Sequence, residues 1–276
     1  MRTGPRVRGH CYTKRMNFSG EQELALIRRL YEHRRTAVVT GPAALRVLGI
    51  KTLDWVKKID LVLVGETRAK GRDRWRSGFV YHSGRLDEGH IVENHGIRMT
   101  SLIMALFDTY RYHGRLPALV SLESALQRPD VNKDVLRTWA RGLPQSPGVR
   151  GFRELIEYAS EKSESPFETL GRDTVLRANL PGVVSVEQQV AFGYYDSWGN
   201  PRRGRVDMEI NGCIVVELDG RSKSRGKWEE VTREERARER WLMDGRKVLV
   251  RAQWGDLKTG ALVSMVKAAL TLTGCT

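Results

Sequence analysis

Asp207, Glu209, Glu217 and Asp219 fall within one segment, RVDMEINGCIVVELDGRSK (Arg205 to Lys223), of a chain whose formal net charge is +14. Carboxylates that converge repel one another, and coexist by holding a metal ion, sharing a proton or pairing with a base. Hard oxygen donors favour Mg²⁺ or Mn²⁺, and Mg²⁺ is commonly held by one or two carboxylates together with water and substrate phosphate. Such an ion polarises a phosphoryl oxygen and supplies hydroxide, the chemistry of phosphodiester hydrolysis. The competing reading gives the same acids two structural roles. They would guard a sheet edge against aggregation, or pair with the many arginines.

The elements around these acids decide which reading is open. RVDMEI and CIVVEL alternate as strands, and Asn211-Gly212 between them is a strong hairpin signal. A two-residue turn there sets Asp207 opposite Val216 and Val206 opposite Glu217. A longer turn or a bulge would shift the register and bring the two carboxylates together, because a one-residue slip changes facing. Upstream, VVSVEQQVAFG reads as a strand and YYDSWGNPRRG as a turn-rich loop. Across AFGYYDSWGNPRRGR, Tyr194, Tyr195 and Trp198 are candidates for stacking on bases, and Arg202, Arg203 and Arg205 for holding phosphates. Ordinary aromatic packing is the alternative. Downstream come the charged helix KWEEVTREERARERWLMDG, the strand RKVLVRAQW, and GDLKTGALVSMVKAALTLTG as one closing helix.

The 276 residues suffice for one large domain or two ordinary ones. A hydrophobic content of 40% with 29% charged residues describes a globular chain. The excess of Lys and Arg points to a polyanionic partner, DNA being the natural one. Cys11, Cys213 and Cys275 are odd in number and far apart, which argues for the cytoplasm and against a disulfide framework or a structural zinc. No stretch approaches the ~20 apolar residues of a membrane span, so no membrane partner is expected. The six histidines lack zinc-ligand spacing and read as surface or satisfied core residues. No phosphate-cradling glycine motif appears.

LPQSPG, Leu143 to Gly148, is the best linker signal in the chain. It divides an N-terminal domain, 1–146, from a C-terminal one, 147–276. The first sixteen residues read as a basic arm. GEQELALIRRLYEHRR is helical, with Leu24, Ile27 and Tyr31 on one side. Strands follow in TAVV, IDLVLVG and FVYHS, with the basic connection RAKGRDRWRSG before the last. Three helices come next: one stopped by Gly114, a second over LPALVSLESALQ, and a third with Val135, Leu136 and Trp139 as its apolar side. After the linker, two helices break at SES, with Pro166 in the first turn of the second, where its missing N–H costs nothing.

Four pieces in order, SESPFETL, RVDMEI, VVELDGRSK and REERARERWLMDGRKVLVRAQWGDL, resemble the PD-(D/E)XK restriction-endonuclease-like superfamily. The likeness is to its very-short-patch-repair-endonuclease-like branch and covers about Gly151 to Lys258. It implies a mixed sheet flanked by helices and a Mg²⁺- or Mn²⁺-dependent DNA endonuclease. Catalytic roles would fall to Glu168, Asp207, Glu217, Asp219 and Lys223, and the metal would be held by Asp207, Glu217 and the Leu218 carbonyl. The lysine usual two residues after the second acid is replaced by Asp219. Lys223, or Arg233 or Arg236 of the charged helix, would then supply positive charge. The replacement bears on water activation more than on metal binding, and leaves open a catalytically impaired, DNA-binding descendant.

The N-terminal half, through AALRVLGI and GIRMTSLIMALFDTYRYHG, is similar to AbiEi-type antitoxin proteins. That likeness implies nucleic-acid binding or a protein partner for this half. The expected fold is thus α/β with two domains: a mixed α/β-to-helical one, then a restriction-endonuclease-like sheet flanked by helices. The expected function is metal-dependent DNA cleavage in phage defence or DNA repair. The alternative is a DNA-binding antitoxin-like or transcriptional regulator, and a third reading is a protein-interaction scaffold.

Overall fold

The computed structural model describes residues 20–31, 37–63, 75, 77–83, 86–219, 236–242, 245 and 247–274. Lys223, Arg233, the basic arm and most of the RAKGRDRWRSG connection lie outside them.

Helix α1 (Gly20–Tyr31) leads into β1 (Ala37–Thr40), whose four residues are all buried. Strands β2 (Ile59–Leu63), β3 (Phe79–His82), β4 (Ile91–Asn94) and β5 (Ile97–Thr100) complete a sheet of order β3-β2-β1-β5-β4. It is mixed: β1 pairs antiparallel with β2 and parallel with β5. The β4–β5 hairpin is not foreseen in the sequence reading. Its strands have only four residues each, and its turn, His95-Gly96 with φ of 53° and 74°, lacks the usual Asn-Gly or Asp-Gly pair.

Helices α2 (Gly41–Val47), α3 (Leu102–His113), α4 (Arg115–Leu126), α5 (Lys133–Arg141) and α6 (Val149–Tyr158) cover this sheet and one another. Gly114, with φ of 93°, separates α3 from α4 as expected. On α5 the expected apolar side is shifted. Leu136 and Ala140 are buried, whereas Trp139 stays 38% exposed. One hydrophobic cluster runs from Ile27 to Ala159 and includes Phe152, Leu155 and Ile156 of α6, although α6 follows the proline-rich LPQSPG segment.

The second sheet has order β6-β7-β8-β9, from β6 (Val186–Tyr195), β7 (Pro201–Ile210), β8 (Ile214–Leu218) and β9 (Val248–Ala252). β6 to β8 are antiparallel neighbours, while β8 and β9 are parallel. A parallel pair requires a crossover, and helix α8 (residues 236–242) lies on that crossover. Helix α7 (Pro166–Ala178) and α10 (Ala261–Thr273) contribute Val175, Leu262, Val266 and Ala269 to a core with Met208, Ile210, Ile214 and Val216. Leu242 of α8 packs on Val215 and Val206 in a smaller cluster. The expected single closing helix is two, α9 (Trp254–Thr259) and α10, because Gly260 takes a left-handed conformation between them.

Cys213 is disulfide-bonded, a single bond where the cysteines argue against a disulfide framework. Distance along the sequence does not limit closeness in space. Its partner lies outside the described residues. Among the described residues no helix is long and apolar enough to cross a membrane.

Candidate active site

The β7–β8 turn decides how the acids meet. Asn211 and Gly212 both have positive φ, 52° and 70°, and the Cys213 N–H donates to the Ile210 carbonyl at 3.1 Å. That is the tight turn the Asn-Gly pair predicts. Cys213, however, is an added residue, and pairing resumes with Ile210 opposite Ile214 and Met208 opposite Val216. The register expected from a two-residue turn is therefore shifted by one. Carried one step further, it sets Asp207 level with Glu217, the arrangement that a longer turn was expected to produce. The Leu218 N–H donates to Asp207 Oδ2 at 2.7 Å and ties the two strand ends together.

Glu168 comes from the first turn of α7. Ser165 caps that helix, accepting from the Glu168 N–H at 3.2 Å and donating its hydroxyl to Glu168 Oε1 at 2.7 Å. Glu168 Oε2 accepts from the Glu164 N–H at 2.9 Å and from Gln189 Nε2 at 2.7 Å. S-P-F-E is thus also a capping motif, and Glu168 has a structural task whatever else it does. α7 lies close on the end of β8 because residue 171 is glycine. A Cβ there would sit 2.5 Å from Leu218 Cδ1.

Burial raises the Asp207 carboxyl above its usual range; the Leu218 N–H opposes this, Glu168 and Glu217 push it further up, and Arg238 pulls it down. Asp207 thus feels both other acids. Glu217 is held differently. Arg238 of α8 donates to its Oε1, and Arg251 of β9, its neighbour in the parallel ladder, donates to its Oε2 at 3.3 Å. The charged helix therefore does bring a cation to the acids, but through Arg238. Arg236, two residues earlier, is exposed. Glu209 pairs with Lys247. Asp219 is exposed just past β8, and its N–H donates to the Ala252 carbonyl at 3.0 Å.

The expected phosphate contacts are spread along β7. Arg202 pairs with Asp196 at 3.0 Å and Arg205 with Glu164 at 2.7 Å, while Arg203 is exposed and makes no ion pair among the described residues. Tyr194 is buried, which removes it from the expected stacking set.

Asp207, Glu217 and the Leu218 backbone offer hard oxygen donors at one end of the sheet. Among the described residues, no group of three or more His, Cys, Asp or Glu side chains is gathered closely enough to hold a metal. Both Glu217 oxygens are paired with Arg238 and Arg251, and Asp207 Oδ2 with the Leu218 N–H, so an ion bound here would displace those contacts. Gln189, Arg238 and Arg251 were missed in the sequence reading. Gln189 ends the polar run Glu187-Gln188-Gln189 in β6, where nothing in the sequence sets it apart; in the structure it has φ of 56°. Among the histidines, half-buried His82 and exposed His113 flank the buried Asp60 at 2.7 and 2.9 Å.

No protein-family model matches this chain, and comparison with curated proteins gives no match.

Proposed function

We propose that the chain is a metal-dependent DNA endonuclease whose C-terminal half has a restriction-endonuclease-like arrangement. The observation that carries this reading is the one-residue shift at Cys213. It sets Asp207 level with Glu217 at the end of a four-stranded mixed sheet, with Glu168 on the flanking helix close enough to raise the Asp207 carboxyl. Asp207, Glu217 and the Leu218 carbonyl would hold Mg²⁺ or Mn²⁺. When bound, the ion supplies charge neutralisation at a phosphoryl oxygen and a more acidic water. The residues around it do the rest. Gln189 and Ser165 orient Glu168; Arg238 brings positive charge beside Glu217, where the superfamily lysine would have acted; Arg203 and Arg205 meet the strand backbone. The net charge of +14 draws the polyanion in.

The test is cleavage of plasmid, linear, single-stranded and mismatched DNA with Mg²⁺ or Mn²⁺. Metal-dependent nicking that disappears in Glu217→Ala, with the fold retained, is expected. If all four substrates survive the wild-type protein, the enzyme reading fails for them.

A second reading has an observation of its own. Both oxygens of Glu217 are paired with guanidinium groups, as in a site closed by salt bridges. A DNA-binding regulator on an impaired nuclease scaffold follows from that. It predicts salt-sensitive DNA binding that survives both EDTA and Glu217→Ala.

A further inference from the structure

β6 and β7 have ten residues each, against five in β8 and β9. β8 pairs with β7 only from Met208 to Ile210. Residues 191–205 therefore continue past the paired part of the sheet as a two-stranded arm. From Asp207 to Pro201 at its tip, the strand covers roughly 20 Å at ~3.3 Å per residue.

A lone hairpin is marginal in water, and this one is braced. The Phe192 ring stacks on Trp241 of α8 at 5.2 Å and 15°, and the Arg238 guanidinium lies 5.8 Å from the same ring. Gly204 lets Phe192 lie flat across β7, since a Cβ there would come within 2.6 Å of the ring. The tip is organised by one buried carboxylate. Asp196 accepts from the Trp198 N–H at 2.9 Å, the Asn200 N–H at 2.9 Å, Asn200 Nδ2 at 3.2 Å and Arg202 Nε at 3.0 Å.

On this fixed turn two large rings face solvent: Tyr195 is 66% and Trp198 67% exposed. Neither stacks on another ring or on a cation among the described residues. Arg203 is exposed beside them, and Asp196 is the only acid between 190 and 206. The arm thus ends in two open aromatic faces and a guanidinium, with its one negative charge buried and paired.

Every base has a π face, and stacking on protein aromatics tolerates any sequence. In an intact duplex those faces are covered by neighbouring base pairs. We propose that Tyr195 and Trp198 form a stacking platform for unpaired bases of a DNA strand, with Arg203 on the adjoining phosphate. This deepens the nuclease reading and rests on it for the identity of the partner. The arm's reach places the unpaired bases roughly 20 Å from the phosphodiester held near Asp207 and Glu217.

The test is binding of the full chain in EDTA to a paired duplex, to the same duplex with a short single-stranded gap, and to an oligo-dT strand. Wild type is expected to prefer the gapped and single-stranded forms by about tenfold or more. The Tyr195→Ala/Trp198→Ala variant should lose that preference and keep its affinity for paired duplex. A double variant that keeps the preference, or that loses duplex and gapped affinity equally, overturns the proposal. Cleavage assays on the same proteins separate the two ideas. If wild type cleaves nothing but the gap preference exists and vanishes in the double variant, the platform stands and the nuclease reading falls. If cleavage depends on Glu217 but the preference survives the double variant, the platform alone falls. If wild type binds none of the three DNAs, the platform falls, and both fall if it also cleaves none with Mg²⁺.

Discussion

Half-buried Asp207 and buried Asp60 show opposite electrostatic logic at the scale of single residues. At Asp207, burial and neighbouring acids make the carboxylate harder to form in the folded chain. A group with a raised folded pKa favours folding at low pH, and that contribution is lost as pH rises through the folded value. Without metal at neutral pH, Asp207→Asn is therefore expected to raise Tm, since an amide oxygen can still accept from the Leu218 N–H. Added Mg²⁺ should stabilise wild type more than this variant; a lower Tm for Asp207→Asn without metal would contradict the account. Asp60 differs. Burial opposes its charge, but His113 and His82 more than offset this and its pKa is lowered. Its stabilisation is present above the ordinary carboxylate range and lost as pH falls through the folded value. Asp60→Asn should thus cost stability at pH 7, with the difference shrinking on acidification. Asp207 and Glu217 were legible in the sequence as acids in an alternating pattern. Arg238 was not, because which of many helical arginines faces a strand depends on a crossover whose geometry leaves no mark in local sequence.

At the scale of elements, the candidate site depends on α7 lying against β8. Gly171 permits that approach, and Gly171→Ala would drive a methyl group into Leu218. Overpacking of this kind costs about 1–3 kcal/mol, partly offset by better helix propensity. The expected result is a modest fall in stability with a larger fall in metal-dependent cleavage, because Glu168 moves away from Asp207. Denaturant titration and initial rates on one preparation would show whether the two effects separate. Strong local chemistry made most elements readable. Gly114 stops α3, Ser165 and Pro166 start α7, and Asn211-Gly212 turns the second hairpin. The elements that were not readable had weak local signals opposed by tertiary context. β4 and β5 are short and joined by His95-Gly96, and a single glycine, Gly260, breaks a segment whose apolar pattern reads as continuous.

Across the whole molecule, the two sheets meet through α7. Arg172 reaches Glu123 of α4 at 2.6 Å, with the Glu123 side chain fully buried, and Arg115 of α4 meets Asp173 at 2.8 Å. The Tyr158 ring lies 4.6 Å from the Arg115 guanidinium and 4.8 Å from that of Arg172. Lys51 Nζ donates to the carbonyl of Glu164 at 2.8 Å, and the Glu164 N–H in turn bonds Glu168. The helix that carries Glu168 is thus anchored in the N-terminal half. Removing one partner of a buried pair strands the other, at a cost of about 3–5 kcal/mol. Arg172→Ala should accordingly destabilise both halves together, seen as coincident transitions by far-UV circular dichroism and tryptophan fluorescence. Independent transitions in wild type would contradict this coupling. LPQSPG marks a composition break in the sequence, but the change of hydrophobic core comes after α6, because burial of Phe152, Leu155 and Ile156 attaches that helix to what precedes it.

The central claim is that Asp207 and Glu217 hold a catalytic ion on a basic DNA-binding surface. Its most direct test is a Mg²⁺ titration of DNA cleavage by wild type and Glu217→Ala, with circular dichroism to verify the fold of both. The account predicts saturable, EDTA-reversible nicking by wild type and none by the variant at any Mg²⁺ concentration. Equal cleavage by the two folded proteins, or cleavage that persists in EDTA, would contradict it.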